Sequence, residues 1–170
     1  GSALDNRVVP VYGSADWGTD VFVNGELMTV KDFVFSTTVQ FREDGPFTIE
    51  VVARDQAGNT AMVTRSVRVD TVPPTVTITY PEDGMKVGRR IITVSGQTEP
   101  YSTVVINTET MISVGRDGIF SMPVALEDGE NRITVTATDG SGNSGTAAKI
   151  VYRPKPAAIV KQDLSWVLNL

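Results

Sequence analysis

The sequence predicts an all-β chain made of two tandem antiparallel β-sandwiches. Three observations carry this: a phrase written twice at a fixed distance, side chains that alternate with a period of two, and turn signals every 8 to 12 residues or so. The phrase is "VVARDQAGNT" at residues 51–60 and "VTATDGSGNS" at residues 135–144. Ile49, Val51, Ala53, Asp55, Gly58 and Asn59 return as Ile133, Val135, Ala137, Asp139, Gly142 and Asn143, each shifted by 84 positions, and Asp44-Gly45 returns as Asp128-Gly129. Upstream the shift slips to 83, where Val11, Gly13, Val21, Val23 and Asn24 match Val94, Gly96, Val104, Ile106 and Asn107. Slips of one residue belong in loops, which tolerate insertion. A repeat of this length suits a small sandwich domain.

Within each unit "TIEVVARD" and "RITVTATD" place Ile49, Val51, Ala53 and Ile133, Val135, Ala137 on one face. Alternation in Val, Ile and Thr over this length reads as a half-buried antiparallel strand. "VTRSVRV" (Val63, Val67, Val69) and "TVTITY" (Val76, Ile78, Tyr80) read the same way. Asn24-Gly25, Asp44-Gly45, Gly58-Asn59, Asp83-Gly84, Asp117-Gly118, Asp128-Gly129 and Gly142-Asn143 supply the turns. About seven strands per unit follow, with no long segment of helical period. "DTVPPT" at residues 70–75 is a short stiff link, because paired prolines leave the hydrogen-bonded ladder and hold an extended backbone. The expected division is 1–72, 73–155 and a tail at 156–170.

Composition narrows the function. The 170 residues are 41% hydrophobic, enough for packed cores, with 20 acidic against 15 basic residues and a net charge of -5. No dense basic stripe exists to meet phosphates, so nucleic acid is not an expected partner. The chain has no cysteine and no histidine. Disulfides, Cys-His and Ser-His-Asp catalysis and the usual zinc sets are therefore excluded on inventory. The adjacent acids Glu43-Asp44, Glu82-Asp83 and Glu127-Asp128 sit in or before turns. Glycoside hydrolysis needs two carboxyls converging across a cleft, so the chain is not expected to be an enzyme.

Several segments together resemble a known family: "ARDQAGNTA", "SVRVDTVPPTVTITYPEDG", "VSGQTEPYSTVVIN" and "EDGENRITVTATDGSGNSG". They look like the bacterial and archaeal immunoglobulin-like domains of cell-surface proteins, and especially the variety placed beside glucodextranase domain B. The resemblance covers about residues 7–153. It implies an immunoglobulin-like fold, an extracellular or cell-envelope location, and a non-catalytic spacer role among neighbouring domains of a larger protein. It also implies a Ca²⁺ site built from Asp55, Asn59 and Asp70 with Glu82 or Asp83, since Ca²⁺ takes hard oxygen ligands. The competing reading of the same phrase is a turn, in which Asp accepts backbone N–H groups and Gly or Asn adopts the left-handed conformation. No other cofactor is expected. Trp17 and Tyr101 lie in matching loops. They either cap the ends of the cores or stack on a glycan or surface-protein partner.

Two irregularities remain. The counterpart of the strand Val76 to Tyr80 would precede residue 1, so the first unit is expected to lack its first strand, or to improvise one from Ala3 to Arg7. Gly1-Ser2 reads as a cloning remnant, and the natural chain is expected to extend past either end. At the other end Leu164, Trp166, Leu168 and Leu170 alternate. Residues 157–170 are read either as the lead-in to a membrane anchor or further domain beyond Leu170, or as a strand added to the edge of another copy.

Overall fold

The computed structural model describes residues 2–108 and 110–156. The expected tail strand at Leu164 to Leu170 lies outside them. Every regular element among the described residues is a β-strand.

In the first half the strands are β1 (Ser2–Leu4), β2 (Val8–Ser14), β3 (Asp20–Val23), β4 (Glu26–Met28), β5 (Val34–Gln40), β6 (Gly45–Arg54) and β7 (Thr60–Val69). They form a five-stranded sheet in the order β1-β7-β6-β3-β4 and a two-stranded sheet of β2 and β5. In the second half the strands are β8 (Thr77–Tyr80), β9 (Met85–Lys86), β10 (Ile91–Gln97), β11 (Thr103–Ile106), β12 (Thr110–Ser113), β13 (Ile119–Ala125), β14 (Gly129–Thr138) and β15 (Ser144–Arg153). They form a five-stranded sheet in the order β9-β15-β14-β11-β12 and a three-stranded sheet in the order β8-β10-β13. Strand for strand the halves match, except that β8 has no counterpart.

The hydrogen-bond registers repeat as well. The β6–β7 pair runs from Gly45↔Val69 to Arg54↔Thr60, and the β14–β15 pair from Gly129↔Arg153 to Thr138↔Ser144. The turns after β3 and β11, Asn24-Gly25 and Asn107-Thr108, also agree. Asn24 and Asn107 both adopt left-handed φ, at 48° and 50°. Their Oδ1 atoms accept the backbone N–H of Glu50 and Thr134, 2.8 and 2.9 Å away. Each turn is thereby pinned to the neighbouring long strand. The outer face of the second half is lined by hydroxyl pairs, Thr136–Thr146 at 3.2 Å and Thr138–Ser144 at 2.9 Å.

Each pair of sheets encloses its own apolar cluster. The second holds Val94, Val104, Ile133, Val135, Ala137 and Val151 at no exposure, with Phe120 and Leu126 beside them. The first holds Val21, Val23, Phe35, Phe41, Ile49, Val67 and Val69, and the Phe41 and Phe47 rings stack 4.3 Å apart. Two positions depart from the alternation expected of them. Val63 is exposed because none of the described residues covers that part of β7, and Tyr80 closes β8 partly in solvent.

The first half does begin with an added strand, at Ser2–Leu4 rather than Ala3 to Arg7. It runs parallel to β7 with Ser2 opposite Val67. In the second half β9 runs parallel to β15 with Met85 opposite Val151. β1 is therefore the equivalent of β9, and among the described residues β8 is the strand without an equivalent in the first half.

Burying a side chain such as Ile133 contributes roughly 1.5–3 kcal/mol by transfer alone. Ile133→Ala adds a cavity in a closed core and is expected to cost about 2–5 kcal/mol in urea unfolding.

Candidate functional site

The repeated Asp-x-x-Gly-Asn phrase forms a clamp at the tip of each long hairpin. In the first half Asp55 Oδ1 accepts the Asn59 backbone N–H at 2.8 Å, and Oδ2 accepts the Asn59 side-chain amide at 2.7 Å. In the second, Asp139 Oδ1 accepts the N–H groups of Ser141, Gly142 and Asn143 at 2.8, 2.8 and 2.9 Å. Its Oδ2 accepts the Asn143 side chain at 2.9 Å. Gly58 and Gly142 turn the chain at φ of 91° and 105°, which a side chain would strain.

These donors act on the carboxyl groups. The Asn59 side chain and backbone hold Asp55 below the ordinary carboxylate value of 3.8. Partial burial pushes Asp139 up. The Asn143 side chain and the N–H groups of Ser141, Asn143 and Gly142 outweigh it, so its pKa is also lowered. Such carboxylates stay ionised and are poor proton donors.

The four residues named for calcium do not converge. Asp55 and Asn59 are together, but Asp55 and Asp70 lie at opposite ends of β7, about 33 Å of strand apart. Asp70 Oδ1 accepts the Val72 N–H at 3.3 Å. Asp83 Oδ1 accepts the Ile150 N–H at 2.8 Å, toward the far end of β15. Among the described residues no three acidic groups are placed to hold a metal ion.

The adjacent acid pairs have structural contacts too. Asp44 accepts the Thr71 N–H at 2.9 Å and its hydroxyl at 3.0 Å, and pairs with Arg7 at 3.0 Å. Asp128 pairs with Arg153 at 2.6 Å.

The loop aromatics face solvent rather than capping the cores: Trp17 is 87% exposed and Tyr101 71%. Neither ring belongs to an apolar cluster. Sequence reading missed Phe33. It lines a cavity of about 250 Å³ with Trp17, Asp16 and Asp32, is mostly exposed, and has a left-handed φ of 66°. That conformation costs a bulky residue on the order of 1–3 kcal/mol. In the second half the matching residue is Gly118, at φ 71°. The signal was present in the sequence: "KDFVF" stands where its partner reads "RDGIF".

A second cavity, of about 740 Å³, lies between β2 and β7. Its walls include Val9, Val11, Gly13, Val51, Val63 and Val67.

Because Asp55 and Asp139 have folded-state pKa values below their unfolded ones, their contribution to stability is complete above pH 3.8 and is lost as pH falls below it. Melting temperature is expected to drop as pH is lowered from 5 to about 3. Asp139→Ala should cost about 1–2 kcal/mol at neutral pH and flatten that acid limb, read by thermal melts across the range.

Residues 74–153 match the family model described as glucodextranase, domain B. The chain is 26% identical over 149 residues to bacillopeptidase F of Bacillus subtilis, covering 84% of this chain and 10% of that protein. It thus spans about a tenth of that relative's length. Among solved structures, the fibronectin(III)-like modules of Clostridium thermocellum CbhA align with a TM-score of 0.59 at 12% identity, covering 91% of this chain and 90% of that one. A 1.5-MDa bacterial ice-binding adhesin aligns at a TM-score of 0.40 and 20% identity over 88% of this chain and 59% of that one. The two halves are immunoglobulin-like β-sandwiches in tandem, the second of which carries the domain B match.

Proposed function

We propose that the chain is a non-catalytic spacer of an extracellular or cell-envelope protein, setting the distance and rigidity between neighbouring domains. In this reading the units are residues 1–72 and 73–155, joined by residues 70–76. The supporting observation is that the start of this link is held from both halves. Asp44 clasps Thr71, and Asn143 of the second half donates its side-chain amide to the Asp70 carbonyl at 2.7 Å. Pro73 and Pro74 stiffen the residues that follow. A spacer needs two self-contained cores and a connection that resists bending. The separate apolar clusters and the clasped link fit that need.

Small-angle scattering of the intact chain tests this. An elongated particle is expected, and Asn143→Ala should broaden its distance distribution by freeing the link. A compact particle with the two halves side by side would refute the reading.

A second reading is favoured by one observation, the strained and exposed Phe33 beside Trp17. Two aromatic faces flanked by Asp16 and Asp32 suit a sugar ring, which stacks on apolar faces and donates hydroxyls to carboxylates. A glycan array followed by calorimetry tests it. Binding should be lost in both Trp17→Ala and Phe33→Gly, while Phe33→Gly keeps or raises the melting temperature because Gly118 already fills the matched position. Absence of glycan binding by the unaltered chain would dismiss it.

A further inference from the structure

The repeat provides an internal control for the cavity between β2 and β7. In the second half, β8 occupies the matching place and pairs antiparallel with β10, setting Ser95 opposite Tyr80 and Gly96 opposite Ile78. Ile78 is buried there, and Val76 packs against the same core. A side chain at Gly96 would collide with the Thr77 carbonyl, so this glycine is what lets β8 approach. The first half keeps Gly13 at the matched position with no strand against it. There the atoms nearest an added Cβ belong to the Phe35 ring, the first at 2.8 Å.

The walls record the difference. Ile92, Val94, Val135 and Ala137 are buried under β8. Their counterparts Val9, Val11, Val51 and Ala53 are only half-buried, and Val63 is open to solvent. Among the described residues the first core has seven buried apolar residues and the second fourteen. Pro10 stands on the free strand and has no N–H to offer, which leaves residues 12–14, the counterparts of 95–97, as the pairing segment.

We propose that this groove seats one extended strand of β8's chemistry, with apolar β-branched residues at alternate positions, supplied by polypeptide joined ahead of Gly1 and running antiparallel to β2. The direction of supply follows from β1. It takes the register of β9, and β9 is fed directly from β8 through residues 81–84. A chain entering β1 by the same path comes from the groove. Residues 81–84 separate β8 from β9, so the strand would end about four residues ahead of β1. This inference rests on the fold alone and not on the spacer reading.

The test copies residues 74–83 onto the intact chain directly ahead of Gly1. The expected result is a rise in melting temperature of at least about 5 °C and at least about tenfold slower amide exchange at residues 12–14. A control fusion with Asp in the copied place of Ile78 should show neither, because a carboxylate cannot be buried there unpaired. No change on fusion, or an equal rise with the Asp control, overturns the proposal. So does a concentration-dependent dimer of the unfused chain that protects residues 12–14 and disappears when residues 157–170 are removed, since the occupant would then be a second copy.

Discussion

A β-strand sends alternate side chains to opposite faces, so an apolar face is stable only when something covers it. With no disulfide to close either half, covering the inner faces is the requirement that organises this molecule. In the second half a three-stranded sheet lies over a five-stranded one, and the residues between them are sealed from water. In the first half the covering sheet has two strands, and the same positions stay half open. One missing strand accounts for the smaller core, the groove and the exposure of Val63.

The polar residues serve this scheme at its corners. Backbone groups in turns cannot use the sheet ladders, and a charged oxygen that accepts several N–H groups replaces those bonds. Asp55 and Asp139 do this at the long hairpin tips, and Asn24 and Asn107 support the shorter turns. Asn143 has an additional task, since the same amide that closes its own turn reaches the link between the halves. The counterpart Asn59 bonds within its own loop.

Much of the architecture was legible because duplication is a direct comparison within one chain. The offset at Asp55 and Asp139 located the hairpins, and the absence of a partner for residues 76–80 located the missing strand. The calcium set was less legible. Asp55 and Asp70 are close in sequence, yet a straight ten-residue strand separates them, and sequence alone does not convert strand length into distance between side chains. Trp17 and Tyr101 were placed in the correct loops, but whether a loop ring turns inward depends on packing that alternation does not encode. Phe33 was overlooked because a left-handed backbone under a large side chain violates local preference, and such sites are read only by comparison with Gly118.

The parallel pairing of β1 with β7 joins the first strand of its half to the last. β9 and β15 make the same arrangement between an early strand and the final one of the second half. Force that draws β1 against the far end of β7, or β9 against the far end of β15, slides these neighbours along their length. The hydrogen bonds between them are then strained together in shear instead of being peeled one by one. Bonds loaded side by side in this way share the tension instead of breaking in turn.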